Sequence, residues 1–500
     1  GSVVERFAAH YEALLERVVA PNAGRGELGL WAVHEVAGFA QFHHPGRFAD
    51  GAIENVAMDI GQERVKAPEV SGINKGTGRR RVLHVATVAG AVGGHTRTML
   101  NWVKLDPGSE HSLAVTAQWD EPIPQWLAEV MERSGGAVFD LSKRTPLLWR
   151  AGELRALSRR FDLVLLHHFG YDPVPSAAFA AGTQTPVALV NHSDHIFWIG
   201  GGVSDVVINQ RSLSQILDGR RQVWRSIHLP IPMEDRASRL TREQARREVG
   251  VDDQQVVMLS VGRYPKYLPT QQHDFFRATA QILAAVPEAH VYLLGAAEGD
   301  LREHLRHRPH ERFHFLGQME DATAWQKAAD VYLEGFPFGS QTAMLEAAMA
   351  GVPVVPAFAP PVALIATSDE AIDAHVSTPA TEEAYVARAI DLATGREESR
   401  ALGARLRQSV LEAHVGEGWR ARLEDTYRRV LPMRHEPRSR RRTLTRGWRR
   451  GWRRAGRARA TCWNRSSARS CGGFCWVAHT GRGSGRRMEA RCRCCVSADD

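Results

Sequence analysis

The first 461 residues contain no cysteine. No disulfide framework supports them, so their fold must rest on buried apolar surface. No apolar run approaches the length of a membrane span. The start, GSVVERFAAHYEALLERVV, interrupts its apolar positions with charges and does not read as a signal peptide, and the opening Gly reads as a trimmed or incomplete start. These absences place the expected location in the cytoplasm, free or peripheral to a membrane. An excess of one charge is missing too. The formal net charge of +8 is misleading, because residues 438–500 hold 18 Arg, no Lys and 3 acidic residues. The other 437 residues carry 46 basic and 53 acidic groups, which excludes a general nucleic-acid-binding body.

All six cysteines, Cys462, Cys471, Cys475, Cys492, Cys494 and Cys495, fall in that last segment. Residues 432–500 are expected to form a disordered, dispensable Arg/Cys-rich tail. Basic tails bind RNA or membranes, but the CRCC run lacks a second pair at zinc spacing. The abrupt change of composition fits translation in a shifted frame better than either function.

The body has strong periodicity. Val3, Phe7, Tyr11, Leu14, Leu15 and Val18 recur at helix spacing, and Trp31–Phe42 and Ala52–Val65 predict two further helices. Residues 1–80 are read as this helical extension and a polar linker, EVSGINKGTGRR, at 69–80. From 81 onward short apolar strands alternate with helices and short loops. The alternation pauses at Pro230-Ile231-Pro232 and restarts, which predicts two doubly wound α/β domains in tandem, 81–230 and 231–431. Ligands of such sheets bind where strands end, and two facing domains make a cleft.

Four stretches carry candidate chemistry. AVGGHTR (91–97) follows the first strand. Gly93 and Gly94 allow a substrate to approach the backbone, and His95 stands at the helix start. This is not the GxGxxG dinucleotide fingerprint, and a lone His there is as often a cap as a ligand. HSDHIFWIG (192–200) follows the strand Val187–Asn191. His192 and Asp194 are a candidate pair for proton handling or sugar hydroxyls, with His195 beside them and His167 and His168 at a neighbouring strand end. Metal spacing is lacking. SVGRYPKYLP (260–269) places Arg263 and Lys266 where a diphosphate would lie. In EGFPFGSQTAMLEAAMAGVPVV (334–355), Ser340 is a candidate N-cap. The amides at Ser340, Gln341, Thr342 and Ala343 suit an anion, and Glu346 lies over one turn further in.

These segments resemble the GT-B glycosyltransferases. VAGAVGGHTRTM and SVGR resemble the large retaining family that includes glycogen and sucrose synthases. FPFGSQTAMLE and TEEAYVARAIDLATG (381–395) are closer to O-GlcNAc transferases and bacterial cytoplasmic protein N-glycosyltransferases. The resemblance covers about 81–431. It implies Lys266 as the diphosphate lysine, Ser340, Gln341 and Thr342 as the polar helix start, and Glu346 as the ribose ligand. Two features depart from these families. The E-x7-E pattern is absent, since Glu334 and Glu346 are twelve apart, and no tetratricopeptide array precedes the catalytic half.

The expected fold is therefore GT-B, two Rossmann-like domains facing a cleft with a small helical N-terminal extension. The expected activity is transfer of a hexosyl or N-acetylhexosaminyl group from a UDP-sugar, or another NDP-sugar, to a hydroxyl or amide acceptor: protein, glycan or small molecule. His95, His192, Asp194 and Lys266 are the catalytic candidates. Gly94, Arg263, Lys266, Ser340, Gln341, Thr342 and Glu346 are the donor-binding candidates. No metal or other cofactor is expected, because protein cations can stabilise the leaving diphosphate. The alternatives are a nucleotide-sugar epimerase on the same fold and a catalytically silent sugar-binding or scaffold protein.

Overall fold

The computed structural model describes residues 3–69, 78–90, 94–118, 122–270, 272–305, 309–319, 321–358 and 369–440. The first sheet contains β1 (Arg80–Ala86), β2 (Ser109–Val115), β3 (Val138–Asp140), β4 (Leu163–Leu166), β5 (Val187–Asn191), β6 (Val206–Asn209) and β7 (Ser226–His228). Its order is β3-β2-β1-β4-β5-β6-β7, with parallel pairing throughout. The second sheet contains β8 (Val256–Val261), β9 (Ala289–Leu294), β10 (Phe313–Gly317), β11 (Val331–Leu333) and β12 (Val354–Val355). Its order is β10-β9-β8-β11-β12, again parallel. In both, the first strand lies inside the sheet and the chain winds outward to each side, which puts a topological switch point beside β1 and beside β8.

Side chains alternate across a strand, so the first sheet feeds two separate cores. Leu83, Val85, Val164, Leu166, Val187 and Leu189 point to one face and pack with Tyr11, Leu30, Val33, Ile53 and Ile60 of the N-terminal helices. Those helices, including Glu27–Phe42 and Gly51–Arg64, are thus a layer of the first domain. Gly61 permits this contact. A Cβ there would meet the backbone oxygen of Ala177 at 2.3 Å.

Val82, Leu163, Leu165, Ala188, Val190 and Ile208 point to the opposite face. They pack with Trp419, Leu423, Tyr427 and Val430 of the helix Gly416–Val430, which has crossed back from the second domain. Trp102 Nε1 donates to the Tyr427 hydroxyl at 3.0 Å, and that hydroxyl donates to Asp106 at 2.7 Å. A buried string of rings, His167, His84 and His111, reaches the same Asp106 through contacts of 3.0, 3.0 and 3.2 Å.

Contacts of the first domain run past 431, the boundary expected for the body. His435 contacts Asp205 at 3.0 Å and the Phe179 carbonyl at 2.8 Å. Arg440 pairs with Glu54 at 2.6 Å, both side chains wholly buried, and exchanges backbone hydrogen bonds with the Asn55 side chain. The composition changes near 438, yet Arg438 and Arg440 belong to this strap; sequence read the arginine run as one piece and missed the contact. Residues 441–500 lie outside the described residues, as does the bulk of the expected tail. A one-turn helix forms at Glu298–Leu301; periodicity predicts a helix over Leu301–His307, of which 306 and 307 lie outside the described residues.

Candidate active site

The C-terminal ends of the two sheets face each other. On the first side, His95 lies in the first turn of the helix Gly94–Leu105 and His192 lies one residue past β5. Their rings stack with centroids 5.7 Å apart. His95 Nε2 donates to the Val88 carbonyl at 2.9 Å, and His192 Nδ1 donates to the Val190 carbonyl at 3.3 Å. Burial keeps both imidazoles neutral, and it pushes His192 down to about 3. Each neutral ring then presents one nitrogen as an acceptor, the form a hydroxyl-activating base requires. Gly94 opens the helix, and a Cβ there would meet nothing within 4 Å, so the cleft is open above it. Ala91, Val92 and Gly93 lie outside the described residues.

Asp194 does not partner His192. One carboxylate oxygen accepts the Ser214 hydroxyl at 2.6 Å and lies 3.4 Å from Arg211 Nε; the other lies 3.5 Å from His195 Nδ1. Burial works against its ionisation, but Arg211, His195 and Ser214 overcome that and hold it below the usual carboxylate range. The two-residue step from His192 to Asp194 turns the chain away from the His95 stack. Adjacency in sequence suggested a pair that loop geometry does not make. His168 is likewise committed, bonded to the Ile199 carbonyl at 2.9 Å.

On the second side, the turn Tyr264–Tyr267 follows β8. It is anchored by the Tyr267 hydroxyl on Ser260 Oγ, 2.9 Å, and by Ser260 donating to the Leu333 carbonyl at 2.7 Å. This carries Lys266 Nζ to 2.6 Å from the Gly339 carbonyl. Burial lowers the Lys266 pKa to about 8; Glu334 opposes the shift, while Arg263 and Arg211 add to it. The ammonium is still charged at neutral pH. Arg263 is exposed on the same turn.

Glu334 lies one residue past β11 and is 2% exposed. Its carboxylate accepts the amides of Ser340 at 3.0 Å and Ala357 at 3.1 Å. Burial raises its pKa, and Ala357, Lys266, Ser340 and Arg211 hold it partly down. Its carbonyl accepts the Tyr385 hydroxyl at 2.9 Å, which explains why TEEAYVARAI matters to the loop. Ser340 therefore occupies the N-cap position without a side-chain cap bond, and its amide is taken by Glu334. Gln341 is turned from the cleft, and its Nε2 donates to Asp369 at 3.1 Å in the core.

Thr342 and Glu346 do face the cleft. With Gly94, Arg97 and Arg236 they line a pocket of about 50 Å³ between the domains, large enough for a few hydroxyl-sized groups. Glu346 accepts from Gln326 at 2.8 Å. Burial raises its pKa, and Gln326, Arg236 and Arg97 counter the rise. Arg97, Arg236 and Arg211 were not singled out by sequence. The signal for Arg211 was its place two residues past β6, in VVINQR. Among the described residues no group of three or more His, Cys, Asp and Glu is placed to hold a metal. Nor is any helix among them long and apolar enough to cross a membrane.

HepE of Anabaena, in complex with UDP and glucose, is 13% identical, with coverage of 70% of this chain and 100% of its own, and a TM-score of 0.52. A mutant of the Thermobaculum terrenum O-GlcNAc transferase is 18% identical over 85% and 84% of the two chains, TM-score 0.51. A glycosyltransferase of Rickettsia africae is 12% identical over 71% and 99%, TM-score 0.53. The fold is GT-B. Residues 255–394 of this GT-B chain match the family model described as Glycosyl transferases group 1. That span runs from β8 to the end of the helix bearing Tyr385, and so contains Lys266, Glu334 and Glu346. No curated protein matches the sequence.

Proposed function

We propose that the protein is a glycosyltransferase that moves a hexosyl or N-acetylhexosaminyl group from a UDP-sugar to a hydroxyl or amide acceptor. The observation that carries this reading is Lys266. A lysine whose pKa burial lowers to about 8 is held in the turn that follows β8, in the domain facing the one that carries His95 and His192. Burying a cation is costly unless an anion repays it. A leaving diphosphate is such an anion, and its charge grows as the glycosyl bond breaks. Arg263 adds a second cation from the same turn. Glu346, at the pocket between the domains, suits the ribose hydroxyls, and His95 and His192 suit the acceptor side as hydrogen-bond acceptors.

The domain division follows the same logic: 81–230 with the N-terminal helices for the acceptor, 231–431 for the donor. Ser340 and Thr342 remain in reach of the donor at the helix start, whereas the Gln341 side chain serves the core. The test is a hydrolysis screen of UDP-, GDP- and ADP-sugars without acceptor. Release of UDP well above the other two diphosphates is the expected result. No release from any, with no binding of UDP, would leave the silent sugar-binding reading.

A further inference from the structure

Arg211 belongs to the first domain, yet it is one of three charges acting on Lys266 of the second; the other two, Glu334 and Arg263, are local to that domain. It acts on Glu334 as well. Its placement follows from the sheet. β5 and β6 run in register to Asn191 opposite Asn209, whose side chains are bonded at 2.8 Å. The two chains leave the sheet edge together, and within three residues they place Asp194 and Arg211 side by side, Nε to Oδ2 at 3.4 Å.

Asp194 is fixed from both ends. Ser214 Oγ holds the same carboxylate oxygen at 2.6 Å, and the buried Arg221 donates to the Asp194 carbonyl at 2.6 Å. Arg221 also holds the Phe48 and Ile196 carbonyls at 2.9 Å each, so the loop is tied to the body. Arg211 itself keeps 19% side-chain exposure. A guanidinium two residues past β6, at the end of the first sheet that faces the second domain, is thus held by a fixed carboxylate.

Lys266 and Arg211 both act on the cleft carboxylate Glu334, whose own ionisation burial resists, and Arg263 and Arg211 both act on Lys266. Convergent cations of this kind raise the local concentration of a polyanion, and Arg suits phosphate oxygens through paired donors.

We propose that Arg211 is a diphosphate ligand supplied by the first domain across the cleft, with Asp194 and Ser214 as its positioning residues. The inference rests on the donor reading above. It makes the diphosphate a bridge between the domains, so that donor binding draws them together and a nucleoside without phosphates does not.

The experiment titrates the full chain with UDP and with uridine. Arg211→Gln should weaken UDP by about 10- to 100-fold and leave uridine within about twofold. Arg211→Lys keeps the charge on a smaller donor set and should recover part of the loss. Asp194→Asn should fall between, because it leaves the guanidinium present but loosely held. Equal losses of UDP and uridine would make Arg211 a structural residue and overturn the proposal. So would UDP binding unchanged in Arg211→Gln, which leaves the donor reading intact. If the unaltered chain binds no UDP, the donor reading fails and this inference with it.

Discussion

The two sides of the cleft are built on opposite electrostatic plans. The first domain offers imidazoles, His95 and His192, whose charged forms burial disfavours. The second offers ionic groups under strain, Lys266 and Glu334, each pushed toward neutrality by burial and restrained by the other. The supporting structure differs as well. The first domain is completed by chain from elsewhere: the N-terminal helices, the helix Gly416–Val430, and the strap that carries His435 and Arg440. The second sheet packs against helices of its own stretch of chain. Proton handling needs only a base with a bare nitrogen, whereas a departing diphosphate needs charge. Under the proposed function the neutral stack and the buried lysine lie on separate domains, with Arg211 as a cation that the first domain adds to the diphosphate.

The largest expected effect tests the difference in support. Ending the chain at Leu431 removes Arg440 and deprives the Glu54 carboxylate of its ion-pair partner. Breaking such a pair from one side costs roughly 3–5 kcal/mol. The melting temperature should fall, and limited proteolysis should open the first domain before the second. Ending the chain at Arg440 or a few residues beyond should leave both measurements unchanged. A Leu431 chain that melts with the full-length protein would remove the strap from the account.

The next effect falls on the second domain. Lys266→Ala should cost about 1.5–3 kcal/mol in UDP binding, roughly 10- to 150-fold, and more in turnover than in binding. Uridine binding should not change. Burial lowers the Lys266 pKa to about 8, so its charge is present below that value and lost as pH rises through it. The preference for UDP over uridine should therefore decline above about pH 8 in the unaltered chain. In Lys266→Arg it should persist to higher pH, since guanidinium does not titrate there. The sign reverses for stability. The cost of burying this cation in the empty protein is present below about 8 and is relieved as pH rises toward the unfolded value of 10.5.

Glu346→Gln keeps a polar partner for Gln326 and removes the charge. It should weaken UDP, UDP-sugar and uridine alike, by up to about tenfold, because ribose is unchanged through the reaction. A loss confined to UDP would place Glu346 near the phosphates and Arg97 and Arg236 instead. Smallest of all in donor binding is the first domain's contribution through its histidines. His192→Ala or His95→Ala should lower transfer to an acceptor while UDP affinity, read by calorimetry, stays within a few-fold. A collapse of UDP affinity would erase the contrast between the two sides.

Much of this was legible in the chain itself. β5 and β8 fall on Val187–Asn191 and Val256–Val261, as their apolar runs predict, because parallel strands buried on both faces leave uninterrupted apolar stretches. The helix after Ser340 is where its helix formers predict it, and His95, His192 and Lys266 lie in the stretches that follow strands, where the sheet fixes the chain in space. Sequence alone determined the tandem α/β plan, the acidic body and the positions of the strand-end loops. The tertiary structure decided where side chains within those loops turn: Gln341 into the core, Asp194 toward Arg211 and Ser214, and the Ser340 amide to Glu334. It also decided that Trp419, Tyr427 and Arg440 complete a domain begun hundreds of residues earlier. Periodicity reports which residues are buried together within one element. It carries no record of which distant element supplies the other half of a hydrogen bond or ion pair, and those pairings set the charge and direction of each group in the cleft.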